Sequence, residues 1–596
     1  MLPWNKIFLK RLRIGPYEVA ALVIIALAVL LRLILTARGW PETDSDEGTM
    51  GLEAMHIAFR GEHPIFLYGQ NYMGMIEAYL GALLFRLFGV SLFSLRLGMV
   101  ILFALFLVSL YLLTSLLYSK KLALVTLALL SVGARNILIP EMRAVGGAVE
   151  TLLFGTISLL LASWLALTAD QDQLRQRRRW RLVAYGGWGL SAGLGLWSHL
   201  LVSPFILMGG LILVMFCWRE LRTWAALCLL MGLVIGAFPL IYYNITAPWG
   251  QNSLATALQI HSASNTGIAP GQVTLLKQIA GTLLYSLPIA TGINPLCNLQ
   301  ELPLFGPASS QTTMCTIVQG GWGLGYITLM VLALFMAIMP LWKLWHLRRS
   351  RTREWTAEER QAGIIYSARL ALLCSAGLTL VLFALSPLAA EKPWSTRYLI
   401  GLLIATPAVI WPLWKGIRKS MAVTGENMAG VPGLRPTTTN WLDIASLVLN
   451  SKGKRYAISV ILGIGIFVLI GTTFLIGIAS NFKAIPGDEK LMQQDAVLTH
   501  DLLRIGARHI YSGYWVCDRL TFASQEQIIC SVVDLQLKPG LNRYAPYEAV
   551  VAADPKASYV FPAGSDFAFA AARNPALSRG HYQRLILDGY VIYQPT

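Results

Sequence analysis

Residues 44–77 read DSDEGTMGLEAMHIAFRGEHPIFLYGQNYMGMIE and come shortly after the first long apolar run of the chain. The segment holds six of the 31 acidic residues of the protein, together with five glycines and two tyrosines. Solubility or packing alone would not concentrate carboxylates, glycines and aromatic rings at the end of an apolar run. We therefore expect this segment to carry the function and the remaining chain to hold it in place.

The composition is that of a membrane protein. Of the 596 residues, 55% are hydrophobic and 13% are charged, which is about half the roughly 25% charged residues of an ordinary soluble domain. Apolar runs long enough to cross a bilayer recur along most of the chain. The net charge of +17 lies mainly in short clusters between these runs, where it indicates membrane topology and not nucleic-acid binding.

Eleven apolar runs are predicted to span the membrane. They are residues 17–37, 92–117, 122–140, 148–168, 183–200, 202–218, 223–243, 321–345, 364–388, 398–415 and 456–480. Lysine and arginine clusters lie in alternate connecting segments, which the positive-inside rule assigns to the cytoplasm. The segments predicted to lie on the outer side are the first outer loop (38–91), 141–147, the large outer loop (244–320), 389–397 and 481–596.

The composition changes after the last run. We expect residues 1–480 to form a transmembrane module and residues 481–596 to form a small extracytoplasmic α/β domain. The fold class is therefore an α-helical polytopic membrane protein with about eleven transmembrane helices, amphipathic helices in the first outer loop and this appended domain. Asp588-Gly589 favours a hairpin turn. Within the domain, helices are predicted at 495–507 and 543–552, and strands at 509–515, 518–524 and 526–533.

Four cysteines fall in predicted outer segments. Cys297 and Cys315 share the large outer loop, and Cys517 and Cys530 share the C-terminal domain. Two disulfides would suit an oxidising compartment. Four free thiols are the alternative, and the sequence leaves both open.

Asp46 and Glu47 are the first candidates for chemistry. Adjacent side chains at a helix start point about 100° apart, so one can face a cavity while the other faces the backbone or a basic partner. A partly desolvated carboxylate near the membrane can have a raised pKa and act as a general base. The alternative is helix capping, because Asp44 followed by Glu47 resembles a capping box.

Residues 50–60 have the pattern of an amphipathic helix and are predicted to lie in the membrane interface. The spacing of His56 and His63 selects no metal. No cofactor is therefore predicted with certainty, and a divalent cation remains open. Glu77 lies in an apolar context, where pairing with Arg86 or Arg96 is expected.

Three polar residues near the end of the first outer loop could line a sugar-binding surface. They are Tyr68, Gln70 and Tyr72. For the two tyrosines the alternative is an aromatic belt at the membrane interface.

The second outer loop offers Glu141, Arg143 and Glu150. Either acid could form a second wall of a site shared with Asp46. Arg143 could hold a phosphate, because guanidinium forms bidentate hydrogen bonds with phosphate oxygens. Anchoring of the topology is the alternative for this arginine.

Four further candidates lie near the outer ends of later spans. His199 ends the fifth span, where a lone histidine is more often a buried residue with its hydrogen bonds satisfied. Lys392, Arg397 and Tyr398 lie at the mouth of the tenth span. An arginine there could stabilise a phosphate leaving group without a metal, or its side chain could extend to the interface.

The sequence contains no P-loop, no G-x-G-x-x-G after a strand, no H-E-x-x-H and no C-x-x-C pair. It therefore gives no sign of a nucleotide-driven pump, a dinucleotide-binding domain or a zinc protease. An activated donor would have to arrive by another route, and a lipid phosphate in the bilayer is the natural one.

The stretch SDEGTMGLEAMHIAFRGEHPIFLYGQNYMGMIEAYLGALLFRLFGVSLFSLRL resembles the first outer loop of bacterial C-type glycosyltransferases. Among these it is similar to the protein O-mannosyltransferase and aminoarabinose-transferase-like enzymes of family 39. The resemblance rests on a series of motifs in this order: Asp-Glu, an amphipathic helix, Gly-Glu-x-Pro, Tyr-Gly-Gln-x-Tyr-x-Gly, and Phe-Gly-x-Ser before Leu-Arg-Leu. GGAVETLLFG and TRYLIGL add weaker support.

The resemblance implies a bacterial plasma-membrane enzyme with its active site outside the cytoplasm. The donor would be a sugar on a polyprenyl phosphate, and the acceptor a hydroxyl of a lipid, glycan or protein. Asp46 would be the base, supported by Glu47, and the reaction would invert the anomeric carbon. Arg397 would bind the phosphate, with a second-loop acid nearby. The alternatives are a transporter or lipid flippase, although no internal repeat is apparent, and a non-catalytic assembly protein that binds a partner through residues 481–596.

Overall fold

The computed structural model describes residues 15–169, 175–248, 250–260, 273–307, 309–351, 355–429, 451–578 and 581–596. Helices dominate, and five strands near the C-terminus form one sheet. The α-helices are α1 Pro16–Ala37, α2 Ser45–Met55, α3 Ile76–Phe88, α4 Leu92–Leu117, α5 Lys120–Ser131, α6 Arg135–Met142, α7 Ala148–Leu167, α8 Arg175–Ser198, α9 Ser203–Cys217, α10 Trp224–Gly236, α11 Phe238–Thr246, α12 Ser253–Ile260, α13 Leu275–Gly281, α14 Leu287–Ala290, α15 Ser310–Cys315, α16 Gly321–Arg351, α17 Ala357–Ala384, α18 Leu388–Glu391, α19 Thr406–Ala429, α20 Ser451–Arg504, α21 Tyr514–Ala523, α22 Ala545–Ala552, α23 Asp566–Arg573 and α24 Pro575–Ser578.

Shorter helical segments of other types join several of these helices. The 3₁₀ segments are Leu200–Val202, Glu220–Arg222, Leu299–Glu301 and Pro393–Ala405. The π segments are His56–Arg60, Thr282–Ser286 and Thr316–Gly320.

Within the described residues, eight helices are long and apolar enough to cross a membrane, and ten if each of two bent pairs counts as one span. The chain is thus an α-helical polytopic membrane protein, as predicted. The eight are Pro16–Ala37, Leu92–Leu117, Ala148–Leu167, Leu200–Cys217, Ser310–His346, Ala357–Ala384, Pro393–Arg418 and Ile461–Arg504. Residues 310–320 of the large outer loop predicted at 244–320 belong to the helical stretch Ser310–His346. Residues 261–272 of that loop lie outside the described residues.

The predicted span at 122–140 is not a single helix. It consists of α5 and α6, which meet at an angle of 89°. Val132 and Ala134 adopt extended conformations at the break. Asn481 of α20 donates a hydrogen bond from Nδ2 to the Gly133 carbonyl at 3.0 Å, which satisfies a backbone acceptor that the interrupted helix leaves without a helical partner. The span at 223–243 is likewise divided, into α10 and α11 at 65°.

Most of the predicted span at 183–200 belongs to α8, which ends at Ser198, but this helix is not apolar enough to count among the candidate spans. Its low hydropathy comes partly from glycines, which allow the backbones of α8 and α10 to approach closely. A Cβ atom added at Gly189 or Gly232 would overlap a backbone carbonyl of the facing helix. Small residues serve this purpose in helix pairs of membrane proteins.

Helix α2 has no exposed face of the kind that an interfacial helix at 50–60 would have, because protein encloses it. Met50, Leu52, Glu53 and His56 are all 1% exposed or less. The helix packs between α3 on one side and α21 of the C-terminal domain on the other. The alternation that suggests an interfacial helix instead reflects two different protein surfaces, an apolar one and a polar one.

Five strands form the sheet of the C-terminal domain, in the order β2-β1-β3-β5-β4. They are β1 His509–Ser512, β2 Ile529–Val532, β3 Ser558–Pro562, β4 Tyr582–Leu587 and β5 Tyr590–Pro595. β1 is parallel to β2 and β3, whereas β5 is antiparallel to β3 and β4. Asp588 and Gly589 connect β4 to β5 with φ values of 50° and 83°, so the predicted hairpin turn forms there.

The predicted strand at 518–524 is wrong, because these residues belong to α21. Buried residues at 516, 517, 520 and 521 follow the helical period, which a seven-residue window does not separate from a strand. The predicted division at residue 480 falls inside α20, which runs without interruption from Ser451 to Arg504. Both cysteine pairs that the sequence left open are disulfides in the structure, Cys297–Cys315 and Cys517–Cys530.

Candidate active site

A cleft lies where four separate parts of the chain meet on the side that carries the C-terminal domain. These parts are the first outer loop, the segment after α6, the end of α8 and the start of the span at Pro393–Arg418. Five of the residues singled out from the sequence line the cleft. They are Asp44, Arg143, His199, Arg397 and Tyr398. Met73, Gly146 and Leu201 complete much of the remaining wall.

Asp44 and Arg143 form an ion pair at one end of the cleft. Asp44 is the N-cap of α2, since its Oδ1 accepts a hydrogen bond from the Glu47 amide at 3.0 Å. Its Oδ2 accepts one from Arg143 Nη1 at 2.7 Å, and Arg143 Nη2 also donates to the Glu42 carbonyl. Burial raises the pKa of Asp44, while the charge of Arg143 opposes this effect. The capping alternative for Asp44 is therefore correct.

Arg397 also lines the cleft. Its guanidinium is 5.2 Å from the Trp394 ring centre and 5.5 Å from that of Tyr398. Among the described residues, no carboxylate lies within 4.0 Å of it, although Asp46 is close enough to act on it electrostatically. A largely enclosed cation without a carboxylate partner is suited to receive an anionic ligand.

His199 lines the cleft together with both arginines, and Tyr72 lies next to it. The His199 ring is 6.0 Å from the Tyr72 ring and 6.3 Å from the Tyr398 ring. His199 Nδ1 accepts a hydrogen bond from the Leu201 amide at 3.1 Å, so the lone histidine is satisfied locally, as the sequence favoured. A Cβ atom at Gly147 would lie 2.5 Å from His199 Cβ; the glycine is what lets the ring sit against the loop.

Asp46 faces the C-terminal domain next to the cleft. Its Oδ1 accepts hydrogen bonds from Arg543 Nη2 at 2.7 Å and from the Tyr514 hydroxyl. The Asp46 side chain is 15% exposed. Burial raises the pKa of Tyr72, and the charges of both Arg397 and Arg543 oppose this increase. Asp46, Arg543 and Tyr514 together form the Asp46 cluster. Tyr72 lies within electrostatic range of both this cluster and Arg397 of the cleft.

The comparisons with known proteins concern overall shape. No protein-family model matches the sequence, and no curated protein matches it.

The chain is similar to solved bacterial and archaeal membrane structures. One is ArnT from Cupriavidus metallidurans bound to undecaprenyl phosphate, at 14% identity and a TM-score of 0.49, with 96% of this chain and 97% of that chain covered. Another is the archaeal oligosaccharyltransferase AglB from Archaeoglobus fulgidus in complex with an inhibitory peptide and a dolichol-phosphate, at 13% identity and a TM-score of 0.46, with 97% and 74% covered.

Glu47 and Glu141 do not reach the cleft. Glu47 accepts two hydrogen bonds from Arg96, and Glu141 accepts one from Arg32 at 2.5 Å. All four side chains are 1% exposed or less. Their carboxylates neutralise arginines inside the helical bundle, where an unpaired charge would be costly. Glu141 therefore does not form the predicted second wall.

Glu77 and Glu150 form a buried acid pair behind the cleft. The expected pairing of Glu77 with Arg86 or Arg96 is wrong, because Arg96 binds Glu47 and Arg86 donates to the Ala58 carbonyl at 2.6 and 2.9 Å. Glu77 Oε2 instead accepts from the Gly146 amide at 3.0 Å. Burial and the adjacent Glu150 carboxyl raise the pKa of Glu77. The pair supports the loop that carries Arg143, and Glu150 itself does not line the cleft.

The remaining predicted residues lie outside the cleft lining. Tyr68 donates to Glu62 Oε2 at 2.6 Å and stacks at a tilt on Tyr544 of the C-terminal domain, 4.7 Å away. The Gln70 side-chain oxygen, in the amide orientation that satisfies both partners, accepts from Arg543 at 2.8 and 2.9 Å. Lys392 is half-buried. Across the described ranges, no three His, Cys, Asp or Glu side chains are arranged to hold a metal ion.

Two residues that sequence reasoning missed complete the Asp46 cluster. Arg543 and Tyr514 belong to the C-terminal domain, about 500 positions from Asp46 along the chain. The sequence contains no signal for either residue: Arg543 stands at the start of the helix predicted at 543–552, where nothing local indicates a role. Its contribution depends on the docking of the domain on α2.

Proposed function

We propose that the protein transfers a sugar from a polyprenyl-phosphate donor to an acceptor hydroxyl, on the outer side of the bacterial plasma membrane. The observation that supports this proposal is the cleft. It brings Arg143 and Arg397 together at one end of the helical bundle, with Asp46 beside them. This combination provides a phosphate-binding end and a candidate base, and it agrees with what the sequence resemblance implies.

The phosphate would bind between the two arginines. Arg397 offers a guanidinium with no carboxylate within 4.0 Å among the described residues. Arg143 is held in place by Asp44 and the Glu42 carbonyl, so its position is set before a ligand arrives. Charge-assisted hydrogen bonds from arginine are well matched to phosphate oxygens, and apolar helices on the bilayer side would accommodate the lipid chain.

Asp46 would act on the acceptor. Its Oδ1 is occupied by Arg543 and Tyr514. In the described part of the chain, its Oδ2 has no hydrogen bond from a protein group. We assign Oδ2 the role of accepting the proton of the acceptor hydroxyl.

The reaction follows from these positions. The acceptor oxygen gives its proton to Asp46 and forms a bond to the anomeric carbon. The bond between that carbon and the phosphate oxygen breaks, and polyprenyl phosphate leaves with the electron pair. Attack from the face opposite the phosphate inverts the anomeric carbon. Arg397 and Arg143 stabilise the negative charge that builds up on the leaving group.

Binding and transfer should respond differently to two substitutions. In full-length protein reconstituted in lipid nanodiscs, Arg397→Gln should weaken binding of a fluorescent polyprenyl-phosphate analogue by about 10- to 100-fold, the value of a charge-assisted hydrogen bond. Asp46→Asn should leave this affinity near wild type and reduce single-turnover transfer by about 10²- to 10⁴-fold, the usual contribution of a general base.

Arg38→Gln is the matched control. Arg38 is an arginine at the C-terminal end of α1, and its side chain is 64% exposed. It should change neither quantity. The protein would be a flippase and not an enzyme if it binds the lipid phosphate through Arg397 and moves the lipid across the membrane, but transfers no sugar. Transfer that is unaffected by Asp46→Asn would remove the base assignment.

A further inference from the structure

The C-terminal domain places a charged side chain directly on Asp46. Arg543 Nη2 lies 2.7 Å from Asp46 Oδ1. The Tyr514 hydroxyl donates to the same oxygen and also accepts from Arg543 Nε at 2.6 Å. The two donors and the carboxylate oxygen therefore form a closed triangle at the boundary between the domain and α2.

Arg543 is itself held from both sides. Its guanidinium lies 5.4 Å from the Tyr514 ring centre. The same group donates two hydrogen bonds to the side-chain oxygen of Gln70, at 2.8 and 2.9 Å. Its Nη1 is also 3.5 Å from the Tyr68 carbonyl. The residue is 9% exposed. A guanidinium with this many fixed partners has little freedom, so it can fix the orientation of the carboxylate that it binds.

The domain carrying Arg543 is docked closely on α2. Ser45 Oγ donates to the Tyr514 carbonyl, and Thr49 Oγ1 donates to Asp518 Oδ2 at 2.6 Å. A Cβ atom at Gly48 would lie 2.6 Å from the Asp518 carbonyl carbon. The two elements are thus in backbone contact two residues along α2 from Asp46, and movement of the domain would move both donors.

Using one oxygen for both donors has a chemical consequence. With Oδ1 saturated by Arg543 and Tyr514, the rotation of the carboxylate is fixed and Oδ2 is left for another partner. We propose that Arg543 and Tyr514 are positioning residues for Asp46, so that the C-terminal domain is part of the active site and not an appended module. This inference rests on the proposed role of Asp46 in transfer.

Arg543 supplies Asp46 with both a positive charge and a directed hydrogen bond, and Arg397 acts on it from the cleft side. In the proposed function the donor phosphate is bound by Arg143 and Arg397, and neither of these contacts involves Arg543. Loss of Arg543 should therefore slow transfer and leave binding of the donor unchanged.

The test measures transfer in full-length reconstituted protein. Arg543→Gln should lower kcat by about 10-fold or more, with unchanged KM and unchanged binding of the polyprenyl-phosphate analogue. Arg543→Lys should restore part of kcat but not all of it, because it keeps the charge without the fork geometry. Tyr514→Phe should lower kcat by a smaller factor, because Arg543 still binds Asp46 Oδ1.

Arg519→Gln is the matched control. Arg519 is another C-terminal-domain arginine at the boundary, bound to Glu42 and Asp495 at 3.4 and 3.2 Å, and it does not contact Asp46. It should lower thermal stability without lowering kcat. If Arg543→Gln behaves in the same way as Arg519→Gln, the positioning role is wrong.

A second measurement separates this inference from the proposed function. Thermal unfolding of wild type, Asp46→Asn, Arg543→Gln and the double variant forms a cycle that reports the contact without an assay. A non-additive cycle with an unchanged kcat for Arg543→Gln, while Asp46→Asn abolishes transfer, would leave the function standing and overturn the positioning role. Undiminished transfer by Asp46→Asn, or no transfer by the wild type, would overturn both.

Discussion

Arg96 donates hydrogen bonds from Nε to Glu47 Oε1 at 2.8 Å and from Nη2 to Oε2 at 2.6 Å, with both side chains fully buried. The neighbouring Asp46 points the other way, to Arg543 of the C-terminal domain. Two adjacent acids therefore serve two different surfaces, as their angular separation on a helix allows. Glu47 joins α2 to α4, and the catalytic contribution suggested for it by the resemblance remains a proposal.

We expect Glu47→Gln to be severely destabilising. The substitution leaves the Arg96 guanidinium buried without its counter-charge, and breaking a buried ion pair from one side costs about 3–5 kcal/mol. The expected result is a large decrease in the thermal unfolding temperature or loss of folded protein in detergent. The Glu47→Gln/Arg96→Met double variant should recover part of the loss.

The exposed pair of Arg38 and Glu489 is the control for this prediction. Its side chains are 64% and 29% exposed, and surface pairs contribute roughly 0–1 kcal/mol. Glu489→Gln should thus leave the unfolding temperature nearly unchanged. Equal effects of the two substitutions would show that the Glu47–Arg96 pair does not stabilise the bundle.

We expect Gly48→Ala to loosen the C-terminal domain. The added methyl group would lie 2.6 Å from the Asp518 carbonyl carbon and 2.7 Å from the Arg519 nitrogen, and backbone atoms cannot yield as a side chain can. Hydrogen–deuterium exchange should increase in α21 and in α2. Gly377→Ala, at a helical position with nothing within 4 Å, should leave the exchange unchanged; protection of α21 that survives Gly48→Ala would contradict the close packing.

The stability of the domain interface should depend on pH through Asp518. Burial raises the pKa of Asp518 to about 6, although a hydrogen bond from Thr49 opposes this effect. Between about pH 4 and pH 6 the folded protein holds a proton that the unfolded chain has released, so the free energy of unfolding falls as pH rises. The loss approaches about 3 kcal/mol above this range.

Asp518→Asn should remove this dependence, because its amide carries no charge and still offers an oxygen to Thr49. The unfolding temperature of the variant relative to wild type should increase from pH 4 to pH 7. Asp566→Asn, an exposed acid of the same domain, is the control for the loss of a carboxyl. A constant difference between Asp518→Asn and wild type across the range would show that the Asp518 carboxyl is not neutral in the folded state.

The disulfides give a test of stability and of membrane orientation. Loss of a native disulfide typically costs 2–5 kcal/mol, so Cys517→Ser/Cys530→Ser should unfold at a lower temperature than wild type. Cys374→Ser, at a free cysteine, should have little effect. Peptide mass spectrometry of protein purified without reductant should find Cys297–Cys315 and Cys517–Cys530 linked; free thiols at all four positions would contradict the outer placement of both segments.

Much of the site was within reach of the sequence. Asp44, Asp46, Arg143 and Arg397 stood out because charged residues are rare in so apolar a chain, and each lies near the end of an apolar run. The structure brings Asp44, Arg143 and Arg397 to one cleft and Asp46 beside it. Which acid pairs with which arginine was not predictable, since Glu47, Glu77 and Glu141 all had several basic residues in comparable positions.

By itself the sequence determined the class of the protein and the location of its polar centre. Apolar length is a local property of the chain, and so is the rarity of charges within it; both are conserved in any arrangement of the helices. Tertiary structure alone decided that α5 and α6 bend at Gly133, that Glu47 and Glu141 are buried in ion pairs, and that Arg543 reaches Asp46. These outcomes depend on contacts between segments that lie as far as about 500 residues apart. The partner of each side chain is selected there by packing and by the cost of burying an unpaired charge, and not by the local sequence pattern.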